Sequence, residues 1–177
     1  MANVIKLRKG LDINLKGIAA KELVSVKEPG IYSLVPDDFT GVKPKVVVKE
    51  GENVLAGGPL FVDKNHPEVK FVSPVSGVVT SVERGERRKV LNIIVKADEN
   101  QQYVEFGKMN LAELNAEQVK EALMNAGLFA FFRQRPFDVV PDPTDAPQAI
   151  FVSAFDSAPL APDFELALKG EETNFQT

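Results

Sequence analysis

Residues 46–82, VVVKEGENVLAGGPLFVDKNHPEVKFVSPVSGVVTSV, decide how this chain folds. Short apolar runs alternate there with glycine-bearing turns, a pattern typical of short strands joined by tight reversals. In the segment 73–79, SPVSGVV, Pro74 fixes its own φ angle, and Gly77 permits a backbone path that a side chain would obstruct. The stretch therefore predicts a compact β domain with a sharp strand corner at 73–79.

Strand signals continue on both sides of this stretch. Upstream, four segments show either alternation of apolar and polar residues or a short apolar run. They are residues 5–7, 11–15, 23–26 and 31–35. Downstream, 78–82 and 90–95 predict the arms of a hairpin whose tip is 83–89. Two facing halves of this kind would close a small sandwich without long exposed edges.

The composition is that of a soluble globular protein, with 44% hydrophobic and 26% charged residues in a chain of 177. The net charge of −4 and the dispersed basic residues argue against nucleic-acid binding. The sequence has neither a long apolar run nor a secretory signal, so a cytoplasmic location is expected. The lack of cysteine excludes disulfides, iron–sulfur ligation and a cysteine nucleophile within these residues.

Helix signals appear after the polar turn at 98–100, which places a predicted domain boundary near residue 105. We therefore expect a β domain over 1–104 and a second region over 105–177. Asn115 and Gln118 have the spacing of a reciprocal N-terminal cap, and Gly127 stands where a helix would end in the left-handed conformation. The class predicted is α+β.

The second region has the pattern of the start of an α/β unit. Prolines make 138–147 an extended connection, which can be neither helix nor central strand. Residues 148–153 then predict a buried strand, and Asp163 predicts the cap of a final helix. No second strand that could pair in parallel follows. The sequence therefore suggests the N-terminal part of a longer polypeptide, a hypothesis that a gene model ending after Thr177 would contradict.

Two long segments, VKEGENVLAGGPLFVDK and KFVSPVSGVVTSVERGERRKVLNIIVKA, resemble the biotinyl and lipoyl type of barrel-sandwich hybrid domain. Five segments in order are also similar to the A subunit of the sodium-translocating NADH:quinone oxidoreductase family. They are VPDDFTGVKPKVVVKEG, SPVSGVV, RGERRK, RQRPFD and AIFVSAFDSAPLAPD. This resemblance implies a peripheral subunit on the cytoplasmic side of the bacterial inner membrane. Its partners would be the other subunits of a redox complex that exports sodium.

In that family resemblance, NADH, flavins, an iron–sulfur cluster and ubiquinone act through other subunits, and this chain carries no cofactor, metal or complete catalytic site. The second region also resembles flavin-binding subunits of complex I and of Rnf-type electron-transport proteins. Their glycine-rich loop corresponds to AGLFAFFRQRPFD, where only Gly127 remains and Phe129, Phe131 and Phe132 add bulk. The acidic loop of those relatives keeps only Asp156. We predict that this chain does not bind FMN.

Two surfaces are candidates for contacts with partners. The predicted hairpin tip gathers Arg84, Arg87, Arg88 and Lys89, which could dock an acidic protein partner or anionic lipid headgroups; a solvated tip is the alternative. Beyond the helix, an aromatic and basic segment could contact quinone or a partner, or could simply anchor a loop in the core. Its residues are Phe131, Phe132, Arg133 and Arg135.

Two other classes of function compete with the pump subunit. A biotinyl or lipoyl carrier needs a modifiable lysine at a hairpin tip, and Lys64 and Lys70 lie near such a tip. Neither has an adjacent methionine, and Pro67 stiffens the turn, so this class is disfavoured. A flavin-dependent dehydrogenase of the complex I type is disfavoured by the lost glycines.

His66, the single histidine, is interpreted as a turn residue and supports neither a histidine-rich metal site nor a catalytic triad.

Overall fold

The computed structural model describes residues 16–17, 20–110, 113–153, 156, 158, 161 and 163–176. The strands predicted over 5–7 and 11–15 lie outside these residues. The chain divides into two compact units. One comprises Met1–Lys27 and Gln148–Thr177, and the other comprises Glu28–Pro147.

The larger unit is built on two antiparallel sheets, whose strands are short because glycine and proline turns interrupt them. The strands are β1 (Ile31–Leu34), β2 (Pro44–Val46), β3 (Asn53–Val54), β4 (Pro59–Asp63), β5 (Lys70–Val72), β6 (Gly77–Arg84) and β7 (Val90–Ala97). One sheet has the order β1-β7-β6-β3, and the other has the order β2-β4-β5. The predicted strand at 31–35 and both hairpin arms are confirmed.

The chain crosses from one sheet to the other at the predicted corner, between β5 and β6. Ser73 and Ser76 are each only 1% exposed there, and both side chains are hydrogen-bonded. The Ser73 hydroxyl donates to the Val75 carbonyl, and the Ser76 hydroxyl accepts from a backbone amide on the segment after β7. Gly77 opens β6 so close to the Lys96 carbonyl that a Cβ would overlap its oxygen. The expectation that a side chain would obstruct this path is confirmed.

Both sheets contribute to a single hydrophobic core. The rings of Phe61 and Phe71 are stacked with centroids 4.3 Å apart, and Phe39 meets Phe71 edge-on at 4.7 Å. The same core contains fully buried side chains from both sheets and from the β4–β5 turn: Leu60, Val69, Val79, Ile93 and Val95. Alternation along β6 and β7 directs Val79, Ile93 and Val95 inward, because successive side chains point to opposite faces of a sheet. In β4 the consecutive residues Leu60 and Phe61 are both buried, next to a register shift between Pro59 and Phe61.

Helix α1 (Ala116–Asn125) packs against this β structure within the same unit. Asn115 and Gln118 form the predicted cap, each side chain bonding the other's backbone amide at 2.9 and 3.0 Å. Gly127 then takes a φ of +74° and lies so close to Val72 that a Cβ would be 2.7 Å from its side chain. Met124 enters the core. The boundary near residue 105, between the β domain and the second region, stays a prediction.

The connection over 138–147 contains no helix and no extended strand, as its prolines predict. Two backbone hydrogen bonds nevertheless organise its start. The Val140 amide donates to the Thr40 carbonyl at 3.0 Å, and the Gln134 amide donates to the Val139 carbonyl at 2.8 Å. The first of these bonds fastens the connection to the segment between β1 and β2.

The smaller unit contains two short helices, α2 (Phe164–Ala167) and α3 (Glu172–Gln176). Asp163 caps α2 as predicted, accepting from the Glu165 amide at 3.1 Å. Its carboxylate also pairs with the Lys21 ammonium at 2.6 Å. The rings of Phe164 and Phe175 meet edge-on with centroids 5.7 Å apart, which joins the two helices.

Two predicted strands are wrong. Residues 23–26 are irregular, and the side chains of Leu23, Val24 and Val26 are 72–79% exposed. In a strand, Leu23 would point to one face and Val24 and Val26 to the other, so the segment has no single apolar face to bury. The predicted strand at 148–153 is also irregular, and its Phe151 side chain is 94% exposed. A strand needs a neighbouring strand to pair with, and neither segment is paired with one among the described residues.

Candidate functional site

The basic hairpin tip lies where β6 passes into β7. Its chain is tightly folded: the Gly85 amide donates to the Lys89 carbonyl at 2.8 Å, and a single 3₁₀ turn spans Glu86–Arg88. Arg87 and Arg88 have φ angles of 54° and 62°, in the left-handed region that residues with a Cβ rarely adopt. Both arginine side chains are exposed on this turn.

The four basic residues predicted for this tip are not equivalent. Lys89 pairs with the Asp37 carboxylate at 2.5 Å, and the Arg84 guanidinium donates to the Arg88 carbonyl at 3.4 Å. Arg87 and Arg88 have no ion-pair partner within the described ranges. Their charges are therefore available to an acidic surface, with a strength that falls as salt increases.

The aromatic segment divides into a buried and an exposed part. Phe129 is 7% exposed, and its ring lies 5.9 Å from that of Phe132, which packs against the core. Phe131 and Phe137 are 72% and 73% exposed. The alternative that this segment anchors a loop in the core therefore holds for Phe132 and not for Phe131. Phe132 faces the core and does not share the surface of Phe131.

Both arginines of this segment are exposed, although each makes a contact. The Arg133 guanidinium donates to the Ala130 carbonyl at 2.7 Å and so caps the 3₁₀ turn at Phe129–Phe131. Arg135 lies 3.7 Å from the Asp138 carboxylate in an exposed ion pair. The exposed residues of this segment, which we call the aromatic-basic surface, are Phe131, Arg133, Arg135 and Phe137.

The β4–β5 hairpin does not present Lys70 as a carrier arm. Its ammonium donates to the Asn125 side chain of α1 at 2.8 Å, so the lysine is part of the packing between helix and sheet. Lys64 is exposed in the turn, where its amide donates to the Lys43 carbonyl at 2.7 Å. Lys70 is therefore not available as an attachment site for biotin or lipoate, whereas Lys64 is exposed.

The structure places His66 between two carboxylates, a setting that sequence reasoning did not anticipate. Nδ1 lies 3.5 Å from Glu68 in the same turn, and Nε2 lies 3.4 Å from Asp142 in the proline-rich connection. The side chain of His66 is 26% exposed. No local signal joins His66 to Asp142, because the contact depends on how the connection folds back over the turn.

Neither a metal centre nor a membrane span is found in the part of the chain that the structure describes. Its residues include no group of three or more histidine or acidic side chains suited to holding a metal ion. None of its helices is both long and apolar enough to cross a membrane.

Two antiparallel sheets joined at a strand corner, with one shared core, define a protein of the barrel-sandwich hybrid class. The model of the NqrA N-terminal barrel-sandwich hybrid domain matches residues 5–98, and that of the NqrA second alpha/beta domain matches residues 114–177. The chain belongs to the NqrA family. The predicted fold class and the resemblance noted in the sequence are both confirmed.

Curated relatives match along nearly the whole chain. It is 37% identical over 175 residues to the A subunit of the Na(+)-translocating NADH-quinone reductase from Actinobacillus pleuropneumoniae serotype 5b. It is 36% identical over 176 residues to the corresponding protein of Pseudomonas aeruginosa strain UCBPP-PA14. Each alignment covers 98% of this chain and 39% of the relative. A third relative, from Serratia proteamaculans, is 39% identical over 90% of this chain and 36% of its own length.

Proposed function

We propose that this chain is part of a peripheral, non-flavin subunit of a sodium-pumping NADH:quinone reductase. The observation that carries the proposal is the match over 98% of the chain to proteins named as the A subunit of that reductase. In this role the chain supports assembly at the cytoplasmic side of the bacterial inner membrane. Electron transfer from NADH to ubiquinone is carried by cofactors on other subunits.

The absence of FMN from this chain is part of the proposal, and Gly127 supports it. A phosphate-binding glycine leaves room for backbone amides to approach a ligand. Gly127 instead ends α1 in the left-handed conformation and lies against Val72 of β5. The left-handed backbone and the contact with Val72 together explain why residue 127 is a glycine. Phe129, two residues further on, is part of the core.

The hairpin tip is the proposed docking point for another subunit. Arg87 and Arg88 project from a tightly turned hairpin that Lys89 braces against Asp37. A rigid tip loses little conformational freedom on binding, so its charges are well placed for complementarity with an acidic partner. The aromatic-basic surface is the proposed second contact, and it would serve quinone access or a further subunit.

Charge reversal tests the docking role. The double variant Arg87→Glu, Arg88→Glu should reduce incorporation of the full-length protein into the membrane complex. The difference in incorporation between this variant and the wild type should become smaller at higher salt, because ions screen the attraction between the wild-type arginines and an acidic partner. The control is Lys45→Glu, Lys49→Glu, which makes the same change in charge at two exposed lysines outside the tip. Equal incorporation of both variants and the wild type would contradict a docking role for the tip.

A further inference from the structure

A cleft opens in the larger unit beside the strand corner, at the end of the β6–β7 hairpin opposite the basic tip. Three segments line it: the chain entering β1, the corner between β5 and β6, and the segment that follows β7. The register pairs Gly77 with Ala97 at this end of the hairpin and Arg84 with Val90 at the tip end. The volume of the cleft is about 420 Å³, which is within the range of ligand-binding sites.

The lining of the cleft combines aromatic and acidic residues. Both tyrosines of the chain, Tyr32 and Tyr103, contribute to it, and so do Glu28, Asp98 and Glu99. No lysine or arginine is among the described residues that line the cleft. The three acidic residues also form no ion pair within the described ranges. The cleft therefore combines uncompensated negative charge with aromatic side chains, and such a site attracts an organic cation.

Hydrogen bonds and prolines hold the walls of the cleft in place. The Gln101 side chain accepts from the Ser76 amide at 2.7 Å and donates to the Asp98 carbonyl at 2.8 Å. The Asp98 amide donates to the Ser76 carbonyl at 2.9 Å, so the segment after β7 is fixed to the buried corner. Pro29 and Pro74 restrict the backbone of the other two walls. A site that is formed in advance loses less conformational freedom when a ligand binds.

The chemistry of the lining favours an arginine side chain over other charged ligands. Among the described residues, no three acidic or histidine side chains are grouped so that they could hold a metal ion. Nucleic acid and anionic lipid would be repelled by the charge of the cleft. A guanidinium can pair with carboxylates and also stack on an aromatic ring, and Tyr103 is 65% exposed and open to such a contact.

We propose that this cleft binds an arginine-bearing segment of a partner protein. Asp98 and Glu99 supply charge from the same segment as Tyr103, and Glu28 adds charge from the chain entering β1. The proposal goes beyond the docking role of the hairpin tip and does not depend on it, because the cleft and the tip share no residue.

The test is a ¹⁵N NMR titration of the purified 177-residue chain with the peptide acetyl-Gly-Arg-Arg-Gly-amide. Parallel titrations use acetyl-Gly-Glu-Glu-Gly-amide and MgCl₂. We expect saturable shifts of the amides over 98–103 with the arginine peptide only, and binding that weakens as salt increases. The absence of saturable shifts with the arginine peptide would overturn the proposal, as would shifts of equal size with the glutamate peptide or with MgCl₂.

Variants of the lining separate the contribution of the ring from that of the charges. Tyr103→Ala should weaken binding of the arginine peptide by roughly two- to fivefold, whereas Tyr103→Phe keeps the ring and should bind like the wild type. The double variant Asp98→Asn, Glu99→Gln should weaken binding by at least roughly twofold.

The matched control for the acidic variant is Glu86→Gln, Asp145→Asn, which removes two exposed carboxylates outside the cleft lining and should leave the affinity unchanged. Asp98, Glu99 and Tyr103 are all exposed, so their substitution removes no core packing. Unchanged affinity in either Tyr103→Ala or the acidic double variant would overturn the proposal.

Discussion

At the scale of single residues, Gly77 occupies a position where the structure leaves no room for a side chain. The SPVSGVV segment predicts a corner, and the structure puts the Cα of Gly77 against the Lys96 carbonyl of the neighbouring strand. Because the obstructing atom is backbone, a side chain could be accommodated only by displacing β7 from β6. The residue type is thus determined by contact with another strand.

Gly77→Ala should destabilise the larger unit by about 3 kcal/mol, the upper end for overpacking a well-packed site. Denaturant unfolding of the two proteins measures the difference. Gly30→Ala serves as the control, since a Cβ at Gly30 meets nothing within 4 Å, and its effect should stay within about 0.5 kcal/mol. A loss for Gly77→Ala no larger than that of the control would refute the steric account.

His66 marks the limit of prediction at this scale. Sequence reasoning correctly places it in a polar turn before Pro67, but its partner Asp142 lies on a distant segment. Such contacts depend on the path of an irregular connection, for which periodicity gives no information. The same limit applies to Lys70, whose partner Asn125 is set only by the docking of α1.

At the scale of secondary-structure elements, α1 was predictable because its signals are local. Asn115, Gln118 and Gly127 each act within a few residues of their own position. Residues 148–153 do not form the predicted strand, because an apolar run forms a strand only where a partner strand is available. Their side chains are exposed in this structure, so composition alone misled the assignment.

Asn115→Ala should cost about 1 kcal/mol of stability, because it leaves the Gln118 amide without its acceptor at the start of α1. Thermal or denaturant unfolding provides the measurement. Glu121→Ala, an exposed change inside the same helix, is the matched control and should have little effect. An unchanged midpoint for Asn115→Ala would show that the cap contributes nothing to this helix.

The N-terminus of α2 gives a prediction about pH. The Lys21 ammonium, followed by the helix amides, holds the pKa of Asp163 below its usual range. Since the folded pKa is lowered, the stabilisation is present above the ordinary value of about 3.9 and is lost as pH falls through the folded value. Lys21→Gln should raise the pKa of the Asp163 carboxyl, measured by NMR titration, whereas Lys169→Gln should not. Identical titration curves for the two variants would contradict the pairing.

At the scale of the whole molecule, the fold class and the family were predictable because segments spread along the chain agree with one another. The two sheets, the corner and the hairpin each follow from short patterns in 31–97. The two candidate surfaces were only partly predictable, since exposure depends on packing. Phe131 and Phe132 are neighbours in sequence, yet one is exposed and the other packs against the core.

FMN added to the purified chain should show neither a stoichiometric change in the flavin spectrum nor quenching of its fluorescence, because Phe129 and Gly127 are committed to packing. A known flavoprotein under the same conditions is the positive control. Saturable binding with one flavin per chain would contradict the prediction.

The most direct test of the proposed function is affinity isolation of the natively expressed protein from membranes, with identification of its partners and a visible spectrum of the separated chain. We expect the other subunits of the sodium-translocating NADH:quinone reductase to be recovered in fixed proportion, and the separated chain to carry no flavin. Recovery of this protein without those partners, bearing stoichiometric flavin or a biotinyl or lipoyl adduct, would contradict the proposed function.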